Sequence, residues 1–297
     1  MKLVYDYKIF FDQEVGGPSR YFVELIKELV KLNQETIVLS PVYINKYLNS
    51  IEKKYRKGFY IKNKKFLGPL LKQYNNFVSN YYFKKNKFDV LHTTYYDNCL
   101  NQKKPLVITV YDLIHEIYNK DFNFEKLPKK EIFKKVDHFI CISKNTQNDL
   151  IKYYEIDKNK TSVVYLSNFK FLNTSLINFK HNKPFFLYVG SRKRYKNFSL
   201  LVKAYSKNKS IYNNFDIICF GGGKFLKEEL ELFYNLKINT NNIFQYEGDD
   251  DLLVNLYKTA TAYICRYEYE GFGLPIFEAM DNKCPVISSD ASSLPEV

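Results

Sequence analysis

Short apolar, β-rich runs separated by segments of helical period constrain what this 297-residue chain can fold into. In the first half they read KLVY, TIVLS, DVLHT, PLVITVYD, DHFICIS and TSVVY; in the second PFFLYVG, FDIICFGGG, NIFQYEG, TAYICR and CPVISS. Such runs are apolar on both faces, as strands of a parallel sheet covered by helices on each side require. Between them, residues 20–32 put Phe22, Leu25, Ile26 and Leu29 at helical spacing, with Glu24, Lys27, Glu28 and Lys31 elsewhere. Further helices are predicted over 144–154, 197–206, 225–236, 250–259 and 276–282. Asn197 and Asp250 are the predicted N-caps, and Pro275 suits a first helical turn. The alternation predicts an α/β architecture of doubly wound sheets.

The length exceeds what one hydrophobic core usually serves. The stretch NFKFLNTSLINFKHNKP loses periodicity just before PFFLYVG. Two domains are therefore expected, residues 1–172 and 173–297, facing one another. The five cysteines are scattered without a Cys-x-x-Cys and mostly sit in apolar runs, which predicts buried free thiols and neither a disulfide framework nor a zinc site. The opening MKLVYDYK reaches charged residues too soon for a signal peptide, and no apolar run approaches the ~20 residues of a membrane span. The expected location is cytoplasmic, free or on the cytoplasmic face of a membrane.

The net charge of +13 is unevenly placed. Residues 46–87 hold twelve Lys/Arg against one acid, Glu52, and so carry +11. Three readings of this segment stay open: a solvated face, a dock for anionic lipid headgroups, and a nucleic-acid surface. No RNP, KH or zinc pattern supports the last, and no nucleic-acid partner is expected.

Five motifs fall at the carboxyl ends of predicted strands, where open parallel sheets bind ligands. In YEGFGLPIFEAM (269–280), Glu270 and Glu278 flank a Gly-Phe-Gly-Leu-Pro turn that leads into a helix. A helix N-terminus attracts anions, and carboxylates accept paired hydrogen bonds from sugar hydroxyls. The pattern fits a ligand with phosphate at its centre and sugar at both ends; a Glu278 that merely complements the helix dipole is the plainer alternative. In YVGSRKRYKN (188–197), Arg192, Arg194 and Lys196 crowd a loop after a strand, either to neutralise a diphosphate or as a basic surface turn. Gly16 and Gly17 precede an amphipathic helix. Asp112 and His115 in TVYDLIHE could orient or deprotonate a hydroxyl, or simply start a helix. The glycines of CFGGGKFLKEEL lack GxGxxG spacing, and neither a Walker loop, HExxH nor a nucleophile elbow is present.

Together these motifs resemble family 4 of the retaining glycosyltransferases, over about residues 6–297. GGPSRYF, YVGSRKRYKNF, GGGKFLKEEL and above all YEGFGLPIFEAM, continuing into CPVISSDASSLPEV, are similar to that family's blocks. The resemblance implies the GT-B fold, two Rossmann-like domains facing a cleft, here with the C-terminal domain incomplete. It implies transfer of a hexose from a GDP- or UDP-linked sugar to a glycan or lipid-linked acceptor in surface polysaccharide biosynthesis. It further implies anomeric retention, with no metal cofactor. Arg192 and Lys196 would hold the donor diphosphate, Glu278 the ribose, and Glu270 the donor sugar. The backbone of Phe272, Gly273 and Leu274 would approach sugar and phosphate, and Gly16 and Gly17 would close over the diphosphate. Asp112 and His115 complete the expected catalytic set.

Three departures stand out. Where many members carry His-Asp, this chain has Tyr111-Asp112, with His115 three residues on. Arg266-Tyr267 replaces the usual Pro-Ser. The chain stops at SSLPEV, so exposed apolar surface, weaker interdomain packing and reduced or absent activity are expected. A GT-B sugar-nucleotide epimerase and a non-catalytic nucleotide-sugar or glycan-binding remnant are the rival readings.

Overall fold

A computed structural model describes residues 1–96, 104–118, 129–167, 179–192 and 194–297. The chain forms two compact units, Met1–Val164 and Tyr165–Val297. The expected boundary at 172/173 lies outside the described residues.

The first unit runs β1 (Lys2–Tyr5), α1 (Lys8–Asp12), α2 (Gly17–Lys31), β2 (Glu35–Tyr43), β3 (Arg56–Tyr60), α3 (Gly68–Lys85), β4 (Val90–Thr93), β5 (Leu106–Val110), α4 (Ile114–Ile117), α5 (Lys129–Phe133), β6 (His138–Cys141), α6 (Lys144–Tyr154) and β7 (Thr161–Val163). Its sheet has the order β3-β2-β1-β4-β5-β6-β7, parallel throughout. The second unit runs β8 (Phe185–Val189), α7 (Phe198–Lys207), α8 (Lys209–Asn214), β9 (Asp216–Phe220), α9 (Lys227–Asn235), β10 (Ile243–Tyr246), α10 (Asp250–Thr259), β11 (Ala262–Cys265), α11 (Leu274–Asp281) and β12 (Val286–Ser288). Its order is β10-β9-β8-β11-β12, again parallel. In both units the strand order reverses beside the first strand, and that reversal opens a crevice at the strands' carboxyl ends.

Each sheet is apolar through its centre. Val4, Leu91, Ile108 and Phe139 are fully buried in one unit; Leu187, Ile217, Ile218 and Tyr263 in the other. Helices supply the cover: α2 buries Phe22, Val23 and Ile26, each side chain contributing ~1.5–3 kcal/mol of transfer free energy. Cys141, Cys219, Cys265 and Cys284 are buried free thiols, while Cys99 lies outside the described residues.

Every strand expected from the apolar runs forms, and α6 and α10 span 144–154 and 250–259 as expected. Two caps differ. Asp249, not Asp250, caps α10, its Oδ1 accepting from the Leu252 N–H at 3.2 Å. Asn197 precedes α7 in a left-handed conformation and makes no cap bond; its amide donates to Glu268 at 3.0 Å. The basic segment is structured as β3 and α3, elements that hydrophobic periodicity did not predict. At Pro41 the pairing of β2 with β3 shifts register between Leu39 and Val42. The buried Asn75 amide of α3 answers both backbone groups of the buried Val42, accepting from its N–H at 2.8 Å and donating to its C=O at 2.9 Å. A polar residue therefore faces inward because an interrupted ladder needs it.

Candidate active site

The reversal point of the second sheet lies between β8 and β11, and the loops leaving these strands are bonded to one another. The Glu268 N–H donates to the Tyr195 carbonyl at 2.9 Å, and the Tyr267 hydroxyl to the Val189 carbonyl at 2.9 Å. This pairing brings Lys196 against Glu270, 74 residues away in sequence, in a direct salt bridge. The Lys196 Nζ also lies 3.9 Å from the centroid of the Tyr267 ring. Burial works against the ammonium charge, but the Glu270 carboxylate outweighs it by charge and hydrogen bond, so the Lys196 pKa is raised above its ordinary value. Tyr267, one of the unusual residues of the signature, is thus the aromatic floor under Lys196, while its neighbour Arg266 is exposed.

The Glu270 backbone is clamped from the last residues of the sequence. Its carbonyl accepts from Ser292 Oγ at 2.8 Å and Ser293 Oγ at 2.7 Å. Gly273 then starts α11 at φ 106°, a left-handed conformation, and a Cβ there would lie 3.0 Å from Leu294 Cδ2. Phe272 is buried and stacks on Tyr165 at 5.9 Å, and Leu274 is half-buried in the first turn beside Pro275. Glu278 lies further along α11 and accepts from the Tyr257 hydroxyl at 3.1 Å. Tyr257 is itself fully buried in α10, so the carboxylate is aimed from the core.

Arg192, expected at the donor diphosphate, is met by protein acceptors on β9's loop and α9. Its Nε donates to Glu229 Oε1 at 2.7 Å, Nη1 to the Gly221 carbonyl at 3.1 Å, and Nη2 to those of Gly223 and Lys224 at 2.9 and 3.0 Å. The side chain is 2% exposed and lies over the Phe225 ring at 4.8 Å. The three glycines at 221–223 all have φ near 75°, so a left-handed loop turns its carbonyls onto one guanidinium.

In the first unit, Gly17 opens α2 with Pro18 in the first turn, and a Cβ added at Gly17 would meet nothing within 4 Å. Gly16 is extended, and its carbonyl accepts from Ser19 Oγ at 3.0 Å. Asp112 Oδ1 accepts from the Ile114 N–H at 3.1 Å, while the N-cap position of α4 is held by Leu113. His115 is half-buried in α4. Tyr111, in the position of the family's His, is buried; its ring packs edge-on against Tyr21 at 5.8 Å, and its hydroxyl finds no partner among the described residues. Sequence reasoning missed Asp6, buried at the reversal point of the first sheet, which accepts from Thr93 Oγ1 and from the Thr94 N–H at 3.1 Å and so ties β1 to β4. Tyr267 entered only as a departure from the usual Pro-Ser, and Tyr257, Ser292 and Ser293 were missed. Their only sequence signal was an uncharged hydroxyl near the motif.

Two Rossmann-like parallel sheets with a cation–carboxylate pair at a switch point define the GT-B class of α/β protein. The chain belongs to Glycosyltransferase Family 4, whose pattern matches residues 15–166, and the pattern of Glycosyl transferases group 1 matches residues 174–297. It is 30% identical over 197 residues to the O-antigen chain mannosyltransferase RfbU of Salmonella typhimurium, covering 64% of this chain and 53% of that one. O-antigen chain mannosyltransferase B of Escherichia coli is 50% identical over 52 residues, covering 18% of this chain and 13% of its own. The chain thus spans about half the length of the Salmonella relative. The fold is also that of the lipopolysaccharide outer core galactosyltransferase WaaB, with TM-score 0.68, 17% identity, and coverage of 100% and 82%. The same holds for Anabaena HepE in complex with UDP, with TM-score 0.69, 16% identity, and coverage of 100% and 82%. Among the described residues no helix is long and apolar enough to cross a membrane.

Proposed function

We propose that the protein transfers a hexose, with retention, from a nucleoside-diphosphate sugar to a glycan or lipid-linked acceptor in surface polysaccharide assembly, at the cytoplasmic face of a membrane. The observation that carries this reading is the Lys196–Glu270 pair on Tyr267 at the reversal point of the second sheet. An ammonium has three donors, so Lys196 can keep Glu270 and still meet a diphosphate oxygen. As the anomeric C–O bond breaks, the diphosphate leaves with the electron pair and Lys196 stabilises the growing negative charge. The acceptor oxygen bonds to the anomeric carbon, and its proton ends on the departing phosphate.

Glu270 is assigned to the hydroxyls of the donor sugar and Glu278, aimed by Tyr257, to the ribose. The first-turn amides of α11, by Phe272, Gly273 and Leu274, face the phosphates. Arg192 acts indirectly, by fixing the 221–223 loop. In the first unit, Gly16 and Gly17 are where phosphate or sugar approaches the head of α2, and Asp112 and His115 belong to the acceptor side. The names of the O-antigen mannosyltransferases support mannose as the first donor sugar to try, on GDP as the family resemblance implies, and the UDP-bound relative supports UDP-sugars as the second. No metal ion is required in this scheme.

A thermal-shift panel of GDP, UDP and their sugars tests the reading. A nucleoside diphosphate should raise the melting temperature, and Glu278→Ala should remove the part that depends on the ribose hydroxyls. Absence of any shift across the panel overturns the proposal.

A further inference from the structure

We propose that β3, the short turn Lys65–Leu67 and α3 form a docking face for an anionic lipid surface. The inference deepens the transferase reading, on which its biological sense rests. Its physical basis is separate.

Helix α3 is built inside out. It buries Asn75 and Ser79 together with Tyr82 and Phe83, while Leu70, Tyr74, Phe77 and Tyr81 are all exposed. The spacing of these four, by four, three and four residues, places them on one helical face. Phe77 is 73% exposed, and Phe66, just before the helix, is 97% exposed. A contiguous apolar stripe of this kind marks an interaction surface.

Charge identifies the occupant. From Lys53 to Phe88 the sequence contains no Asp or Glu; Lys62 and Lys65 are exposed just before the helix, and the exposed Lys84 and Lys85 flank the stripe at its far end. A second copy of this chain packing face to face would set two strongly cationic surfaces against each other, which costs free energy. An anionic bilayer suits both features: aromatic and aliphatic side chains enter the boundary between headgroups and acyl chains, and lysine stems carry their ammonium groups to the phosphates. Such a surface would hold the protein where a lipid-linked acceptor resides.

Flotation of the purified chain with phosphatidylcholine vesicles, with and without phosphatidylglycerol, tests the inference. Binding is expected only with phosphatidylglycerol, falling as salt rises. Lys62→Glu/Lys65→Glu/Lys84→Glu should cut the partition coefficient by at least roughly 100-fold. Leu70→Ser/Phe77→Ser should lose binding as well, with an unchanged melting temperature because both side chains are exposed. The nucleotide-induced thermal shift should survive in all variants, so loss of the docking face and loss of the donor site are read separately. No partition into phosphatidylglycerol vesicles at low salt overturns the proposal. So does a dimer that the serine variant dissociates, or binding that single-stranded RNA supports and vesicles do not.

Discussion

Arg192 and Glu229 are joined by a 2.7 Å bond between Nε and Oε1 across 37 residues of sequence. The other oxygen of Glu229 reaches back to the Leu226 N–H at 2.7 Å, so one carboxylate closes the start of α9 and anchors the guanidinium. Two loops after neighbouring strands, β8 and β9, are thereby held as one body.

Removing Arg192 should therefore first cost stability. Arg192→Ala leaves the half-buried Glu229 with only the Leu226 N–H and takes the donors from three loop carbonyls, a loss of about 1–3 kcal/mol in urea unfolding. If Arg192→Ala instead unfolds like the wild type and loses only nucleotide affinity, the side chain is a direct phosphate ligand.

Lys196 and Glu270 should separate by kinetics. Lys196→Met removes charge stabilisation and should lower kcat by on the order of 10²–10³-fold. Glu270→Gln should retain nucleoside-diphosphate affinity while losing discrimination between donor sugars. Donor should be consumed only when an acceptor glycan is present. Consumption without acceptor would point to an epimerase.

Tyr257 is expected to act through Glu278. Tyr257→Phe deletes the 3.1 Å bond that aims the carboxylate, so discrimination between ribose and 2′-deoxyribose nucleotides should fall several-fold. The stability loss from that one bond should be about 1 kcal/mol. Equal weakening for both nucleotides would argue against the ribose assignment.

His92 supplies a pH signature. It is buried between Tyr5 and Phe22 with Nε2 2.9 Å from Thr109 Oγ1, and burial lowers its pKa from 6.5 to about 3. The unfolded chain then binds a proton near pH 6.5 that the folded one refuses, so stability is lost as pH falls from 6.5 toward 3. Between pH 7 and 5 this residue should account for about 2 kcal/mol, read as the difference between wild type and His92→Asn in urea unfolding. Equal acid sensitivity of the two would contradict it.

Much of the fold was legible because strands buried on both faces must be apolar throughout, so PFFLYV, DIICF and AYIC announce themselves. β3 was not legible: RKGFY is exposed over Lys57, Gly58, Phe59 and Tyr60, and only pairing with β2 makes it a strand. α3 stayed hidden because its buried Asn75 answers the break beside Pro41 by bonding Val42, a partner 33 positions earlier that no local period reveals. At the site, the spacing of Glu270 and Glu278 and the cluster around Lys196 were visible as residue types.

Sequence alone determined the strand and helix alternation and the placing of charged residues at strand ends, because burial and loop chemistry are written locally, residue by residue. Tertiary structure alone decided which of those charges meet which partners. Lys196 found Glu270 because β8 and β11 are neighbours in the sheet, and Arg192 was drawn away to the 221–223 loop because β9 lies on the other side. Coulombic and hydrogen-bonding energies depend on distance through space, and strand order, not sequence separation, sets that distance.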